Sequence, residues 1–275
     1  IDPIPQIKVT NPRRAVSIVA SKLFNRPSRD IIVIGITGTN GKTTTAYLIA
    51  NALNKAGYKT AQIGTTGVIA KGFDQKKTLT TPDAIRLQEL FFEFKNLKFT
   101  HVVMEVSSHA LEQYRVADIS FNFAIFTNLT PEHLDYHQSM EAYYQAKSKL
   151  FKMLTIDAVA IINSSDLNGK RIAKETVATV LFFSRENGNT IHFSNADSTL
   201  KGIKGSIKAG DFSYDINSSF IGDFNKENIL ASVSVLHAIG LGGEEIANGI
   251  NSCSSIPGRL EIFKLSSGAK VVIDY

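Results

Sequence analysis

Residues 35–53, GITGTNGKTTTAYLIANAL, set Gly35, Gly38 and Gly41 and the lysine Lys42 between an apolar run and a helix-like pattern. The run before the loop, DIIVIGIT, has no polar face, as expected of a parallel strand buried on both sides. After it, Ala46, Leu48, Ile49, Ala52 and Leu53 recur at helical spacing, and Gly57 stands where a helix would stop. The segment therefore reads strand, tight loop, helix start. Such a loop turns successive backbone N–H groups inward and the helix start adds partial positive charge, so a phosphate is its natural occupant. Lys42 would supply a mobile cation for the terminal phosphates, solvent-facing while the loop is empty. Thr43 would supply a hydroxyl for the accompanying magnesium. The usual pattern has a glycine five positions before Gly41, and Ile36 stands there instead. The competing reading is an ordinary strand-to-helix turn with Lys42 at the surface. The Gly-Lys-Thr-Thr order between strand and helix favours phosphate.

Three further places carry chemistry. THVVMEVSSHAL ends a buried strand, 101–106, with Glu105 near its tip, where a carboxylate can hold magnesium or simply cap a helix. Ser107 and Ser108 follow and would either cap a helix or touch ligand. In FNFAIFTNLTPEHLDYH a strand ends at Phe126 and a polar turn delivers His133 and His137, either of which could face the same site or be structural. In SMEAYYQAKSKLFKML, Met140, Tyr143, Lys147, Leu150 and Leu154 share one helical face, with Lys149 and Lys152 opposite. A lysine inside an apolar stripe either snorkels to water or is directed inward, where desolvation lowers its pKa.

The elements that position these residues follow from the pattern of the whole chain. Apolar runs at 31–36, 59–63, 101–106, 121–126, 157–162 and 177–183 alternate with helical stretches, which predicts an α/β fold with a mostly parallel sheet flanked by helices. Ligands of such sheets bind at the carboxyl ends of the strands. A helix is expected over 14–25, and Thr81-Pro82-Asp83 reads as a helix start with threonine as cap and proline first. From about 190 to 221 the chain turns Gly-, Ser- and Asp-rich with short alternating runs, so a small antiparallel sheet is expected. Helices at roughly 224–239 and 243–252 follow.

Composition narrows the classes. The chain has 275 residues, 43% hydrophobic and 20% charged, with a formal net charge of +5. That is ordinary for a soluble enzyme. No apolar run approaches a membrane span and no signal-peptide pattern occurs. The single cysteine, Cys253, excludes an internal disulfide and a cysteine-based zinc site and fits a reducing cytoplasm. No basic run points to nucleic acid. Both ends read as cut: IDPIPQIKVTNPRRA is linker-like, and AKVVIDY stops within a strand pattern.

The segments TGTNGKTTT, LTTPD, MEVSSHALEQYRV, TNLTPEHLDYH, AYYQAKSKLF, GDFNKENILAS, PGRLE and VVIDY, in this order, resemble the Mur ligases. The resemblance runs from about residue 12 to the end, and the Thr-Thr-Pro and Glu-Val-Ser-Ser-His-Ala-Leu segments point to the branch that adds the third residue of the peptidoglycan stem peptide. It implies residues 1–29 as the tail of a uridine-nucleotide domain, 30–258 as a central ATP-binding domain and 259–275 as the start of a C-terminal domain. Position by position it implies that Gly38, Thr39, Asn40, Gly41, Lys42, Thr43, Thr44 and Thr45 wrap the ATP phosphates. Thr43 and Glu105 would hold one Mg2+ and His133 would help hold a second. Asn225 and Asn228 would lie near the adenine, Arg259 at the γ-phosphate and Asp274 at the ribose. Thr80, Thr81, Ser107, Gln113 and Arg115 would grip the muramoyl-dipeptide. Lys147 would carry a CO2-derived carbamate and serve as a metal ligand.

The implied activity is amide formation in the bacterial cytoplasm by a monomer, with no nucleic acid or membrane partner. An amino acid, meso-diaminopimelate or L-lysine, would be joined to UDP-N-acetylmuramoyl-L-alanyl-D-glutamate through an acyl phosphate. Another ligase of the superfamily, of the folylpolyglutamate or cyanophycin synthetase type, is the alternative. A nucleotide-binding switch of the GTPase kind is disfavoured, because the Asn-Lys-x-Asp guanine signature is absent. A binding module without catalysis also stays open, since the chain as it stands is expected to bind Mg-ATP without making tripeptide.

Overall fold

The computed structural model describes residues 6–73, 79–186 and 191–274. The proline-studded start at 1–5, and Tyr275, lie outside the described residues. Seven strands form the main sheet: β1 (Ile32–Thr37), β2 (Thr60–Gly64), β3 (Gly67–Ile69), β4 (His101–Glu105), β5 (Phe123–Phe126), β6 (Val159–Asn163) and β7 (Thr179–Phe183). Their order is β3-β2-β4-β1-β5-β6-β7, all parallel except the edge strand β3, which runs back against β2. The expected strands all form, and β3, too short to show a period, is the addition.

Both faces of this sheet are covered, which is why its strands lack a polar side. Along β1, Ile34 and Ile36 enter one core and Val33 the other; in β5, Ile125 enters the first and Ala124 and Phe126 the second. The first core lies under α2 (Lys42–Lys55), α8 (Asn225–Ile239) and α9 (Gly243–Asn251). The second lies under α3 (Ala84–Asn96), α6 (Met140–Lys152) and α7 (Leu167–Glu175), with the short helices α4 (Ser108–Glu112) and α5 (Leu134–His137) beside α6. The helix α1 (Pro12–Leu23) packs on α3. Three antiparallel strands, β8 (His192–Thr199), β9 (Gly202–Ala209) and β10 (Phe212–Ser218), make the predicted small sheet. A hairpin of β11 (Glu261–Lys264) and β12 (Lys270–Ile273) closes the chain.

Helix starts are set by short polar side chains. Asn11 caps α1 by accepting from Arg14 N at 3.0 Å, and Ser139 caps α6 by accepting from Ala142 N. The expected threonine cap of α3 is corrected: Asp83 is the cap, accepting from Ile85 N and Arg86 N at 3.0 Å each. Its carboxylate reaches two amides, whereas the Thr81 hydroxyl is drawn away to the tip of β4. Leu154 of the expected stripe is buried but follows the end of α6. No described helix is long and apolar enough to cross a membrane.

Candidate functional site

The loop after β1 sits at the carboxyl ends of the parallel strands. It is stapled to the tip of β5: Thr39 N donates to Asn128 O at 2.9 Å, Asn40 N to Asn128 Oδ1 at 2.9 Å, and Thr127 Oγ1 to Asn40 O at 2.7 Å. Two glycines permit this approach. A Cβ on Gly38 would stand 1.9 Å from Thr127 Oγ1, and Gly41 adopts a φ of 86° with Asn228 Oδ1 pressed against it. Helix α2 begins at Lys42, so its first amides open toward the space in front of the loop.

Beside it, Glu105 ends β4, in register with Ile36 of β1. The carboxylate is wholly buried. It accepts from Thr43 Oγ1 at 3.1 Å, Thr65 N at 2.9 Å and Thr65 Oγ1 at 3.1 Å. A hydroxyl from the loop helix and a carboxylate at a strand tip are thus side by side, as a hard cation beside a phosphate requires. Both of these candidate ligands are oxygen. Among the described residues no three His, Cys, Asp or Glu side chains gather into a metal site. A magnesium ion here would therefore draw its remaining ligands from phosphate and water, which is how Mg2+ is usually held.

A cavity of about 730 Å3 opens in front of these groups. Thr39, Asn40, Gly41, Lys42, Thr43, Thr44 and Glu105 line one end. Asn225 and Asn228 line the α8 side, and Arg259 and Asp274, which flank the terminal hairpin, border it, with an Arg259 guanidinium nitrogen 3.5 Å from Thr43 Oγ1. Thr45 is absent from the lining: in the first turn of α2 it is fully buried, and Ser232 of α8 approaches its carbonyl.

The expectation of a solvent-facing Lys42 is corrected. The lysine is half-buried and folds back on its own loop, Nζ donating to Gly38 O at 2.9 Å and Thr39 O at 2.6 Å. Two carbonyls of the glycine loop thus hold the ammonium. Burial lowers the amine's pKa, and the charges of Glu105 and Glu132 oppose that shift.

The inward lysine of α6 is buried, as its place in the stripe suggested. Lys147 is 2% exposed, and its Nζ donates to the same Gly38 carbonyl at 2.7 Å, 4.3 Å from the centre of the Tyr143 ring. Burial first, and Lys42 second, push its pKa well below the ordinary lysine value. His133 does not line the cavity, although Glu132 beside it does. Its ring stands 4.9 Å from His109 and 6.3 Å from Tyr143. His137 is buried, with Nε2 2.9 Å from Ser108 Oγ.

A second polar cluster adjoins Glu105 on the other side. Thr81 Oγ1 bonds Glu105 O at 2.9 Å and Ser107 Oγ at 3.3 Å, and Thr80 Oγ1 lies 3.3 Å from Thr65 Oγ1. Arg115 donates to Thr81 O at 2.9 Å and grips Gln113 Oε1 through Nε and a terminal nitrogen. Ser107 caps α4 by accepting from Ala110 N. The Thr80–Thr81 pair is therefore brought beside Ser107, Gln113 and Arg115.

Sequence reasoning passed over several contributors. Thr65 supplies two of the three hydrogen bonds that the Glu105 carboxylate accepts among the described residues, from a loop with no motif. Thr127, Asn128 and Thr130 brace the loop from within TNLTPEHLDYH, a segment whose histidines stand out in the sequence and whose bracing residues do not. Tyr143 was named only as part of an apolar stripe, yet its hydroxyl lies 3.3 Å from Thr39 Oγ1.

A parallel sheet with a glycine loop, a lysine and a threonine–carboxylate pair at its carboxyl edge defines a phosphate-loop α/β protein. Residues 36–236 match the Mur ligase middle domain. The chain is 36% identical over 275 residues to the UDP-N-acetylmuramoyl-L-alanyl-D-glutamate--2,6-diaminopimelate ligase of Alkaliphilus oremlandii, and 38% identical over 278 residues to that of Geobacter metallireducens. Each alignment covers 98% of this chain, and 55% and 54% of those proteins, respectively. A solved structure of a ligase of that name superposes with a TM-score of 0.84 at 26% identity, covering 98% of this chain and 57% of that one. The chain belongs to the Mur ligase family. It spans about 55% of the length of the relatives it matches.

Proposed function

We propose that this chain is the ATP-using part of a ligase that joins diaminopimelate to UDP-N-acetylmuramoyl-L-alanyl-D-glutamate. The observation that carries the reading is the Thr43–Glu105 pair, 3.1 Å apart at the mouth of the glycine loop. The relatives' names support diaminopimelate over L-lysine. On this reading 30–258 is the ATP-binding domain, and the hairpin after it, a separate two-stranded sheet, begins a C-terminal one.

The substrate carboxylate attacks the γ-phosphorus of ATP, the bond to the β–γ bridging oxygen breaks, and ADP leaves. The amine then attacks the acyl carbon, loses a proton and expels phosphate. The first step brings two anions together, so the protein's task is positioning and charge neutralisation. The Lys42 ammonium turns from the loop carbonyls to the phosphates, and Arg259 adds a second cation from the hairpin. The loop amides and the start of α2 hold the triphosphate. Thr43 and Glu105 would hold Mg2+, which would neutralise phosphate charge; His133, outside the cavity lining as it stands, would have to turn toward the site to help hold a second ion. The polar cluster of Thr80, Thr81, Ser107, Gln113 and Arg115 faces the muramoyl-dipeptide. Asn225, Asn228 and Asp274 border the nucleoside part.

Lys147 is proposed to act as a carbamate. Its desolvated amine favours the neutral form, which adds CO2 with loss of one proton. The product would be a carboxylate on a longer arm than glutamate's, an oxygen ligand of the kind a hard cation takes. The alternative is the ammonium bonded to Gly38 O as it stands. Lys147→Ala should abolish activity and regain part of it with added short-chain carboxylic acids. No rescue, together with a bare ammonium in density at neutral pH, would establish the lysine as a cation.

The function is tested by supplying UDP-N-acetylmuramoyl-dipeptide, Mg-ATP and diaminopimelate to the chain in a full-length context and identifying the product. Tripeptide with stoichiometric ADP and phosphate is expected. Glutamylation of a folate instead would favour the alternative ligase class.

A further inference from the structure

A second cavity, of about 300 Å3, lies further along α2 and shares no lining residue with the loop site. Its walls come from three places. Tyr47, Asn51 and Asn54 recur at helical spacing on one side of α2. Thr60 and Gln62 come from β2, where Ala61 and Ile63 enter the second core, so the alternation of the strand turns Gln62 toward α2. The third wall is the segment 252–255, which leaves the end of α9.

Gln62 stands at the middle of its strand and is 2% exposed, yet among the described residues nothing accepts from its Nε2. A buried amide donor without an acceptor is unfavourable, and the fold alone would be served as well by an apolar side chain of that length. The other amides of the cavity are engaged. Asn51 Nδ2 donates to Gly249 O at 2.6 Å and Ser252 Oγ at 2.9 Å. Asn54 Nδ2 donates to Ala50 O at 2.8 Å, and its Oδ1 accepts from Thr60 N at 3.2 Å. Among the described residues no charged side chain lines the cavity. An ion entering it would lose water without meeting a counter-charge, so the fitting occupant is uncharged. Tyr47 and Ile69, both half-buried, offer that occupant apolar surface.

We propose that this cavity is a second ligand site. It takes a small uncharged molecule with a carbonyl that accepts from Gln62 Nε2 and a flat apolar body that lies against Tyr47 and Ile69. The third wall links the site to the glycine loop. From 252–255 the chain runs on to Arg259, whose N donates to Ile256 O at 3.1 Å and whose guanidinium lies 3.5 Å from Thr43 Oγ1. An occupant that bridges β2 and 252–255 favours this placement of the segment, and with it that of Arg259. The link, unlike the site, rests on the reading of the loop as an ATP site.

Benzamide is the probe, with benzoate as its charged counterpart and toluene as the ring without an acceptor. Occupancy is read at Cys253, the single cysteine of the chain, which lines the cavity. The rate at which methyl methanethiosulfonate labels it is measured at about pH 9, in the wild type and in Gln62→Met. A ligand of this size should bind with a Kd on the order of 1 mM, and at about ten times that concentration benzamide should slow labelling roughly tenfold. Benzoate and toluene should each bind roughly tenfold more weakly. Gln62→Met should melt no lower than the wild type and should weaken benzamide roughly tenfold. Saturating benzamide should tighten Mg-ATP binding about threefold in the wild type and leave it unchanged in the variant.

No protection by benzamide, equal protection by toluene, or a wild-type response in Gln62→Met would overturn the site. A lower melting temperature of Gln62→Met would also overturn it, by showing that the amide is already bonded within the fold. Mg-ATP affinity indifferent to benzamide would overturn the link alone. A chain that binds no Mg-ATP would remove the ATP reading and the link, and protection of Cys253 would still decide the site.

Discussion

Strand β4 begins and ends on a buried polar residue, and the two ends differ in how those residues are met. His101, at the amino end, is 2% exposed; Nδ1 lies 2.9 Å from Oγ1 of its neighbour Thr100, and Nε2 has no hydrogen-bond partner among the described residues. Glu105, at the carboxyl end, is fully buried and accepts from residues 62 and 40 positions away. The imidazole is served by the residue next to it, the carboxylate by separate segments folded toward it. Burial of a polar group does not by itself mark a site. Convergence of distant donors on one charged group does, because each such segment must be held there against its conformational entropy.

That contrast predicts loss of function from changes at the carboxyl end and loss of stability at the amino end. The largest effect is expected from Lys42→Ala. Productive ATP use should fall by roughly a hundredfold or more, as for removal of a charge-stabilising donor. Melting should change little, because only two bonds to nearby loop carbonyls are lost. Single-turnover assay of acyl-phosphate formation in the full-length context checks this, and normal formation would mean that the loop has been misassigned. Glu105→Gln should next remove most of the Mg2+ dependence of ATP affinity. It should also cost about 1–2 kcal/mol of stability as the network around Thr43 and Thr65 rearranges. Calorimetric titration with and without Mg2+ separates the two effects.

At the amino end the effect is on stability and depends on pH. Burial holds the His101 pKa down at about 4, against 6.5 for an ordinary histidine. The unfolded chain therefore binds the proton more readily, and stability falls as pH drops from 6.5 toward 4. The loss should be on the order of 3 kcal/mol across that window and absent above it. Urea unfolding at a series of pH values should show this slope in the wild type and a shallower one in His101→Gln. Equal slopes would mean that this imidazole is not the group responsible. Gly64→Ala tests the packing of the carboxyl end, since its Cβ would stand 2.2 Å from Glu105 Oε1. About 1–3 kcal/mol of destabilisation is expected by overpacking, with weaker Mg-ATP binding as the carboxylate is displaced. Lys204→Ala, on the exposed face of β9, should stay within about 0.5 kcal/mol and leave ATP binding unchanged.

The architecture was legible because β1, β4, β5 and β6 bury both faces, which leaves apolar runs that no polar residue interrupts. The loop was legible because Gly38, Gly41 and Lys42 act through local backbone geometry. Glu105 and Lys147 could be suspected from their settings, a polar residue ending an apolar strand and a charge inside an apolar stripe. Thr65 could not, since its two bonds to Glu105 depend on how β2 lies beside β4. The retraction of Lys42 was equally hidden, because competition between loop carbonyls and water leaves no sequence trace. Asp83 displaced Thr81 as the cap of α3 for the same reason: the threonine was claimed by a strand tip far along the chain.

The most direct measurement is diffraction from crystals grown with Mg2+ and a non-hydrolysable ATP analogue. The account predicts the triphosphate against residues 38–44 and Lys42 Nζ withdrawn from Gly38 O to a phosphate oxygen. It also predicts Mg2+ on Thr43 Oγ1 and the Glu105 carboxylate. An analogue bound away from this loop, or a loop site holding the triphosphate while Glu105 keeps only its threonine partners, would contradict it.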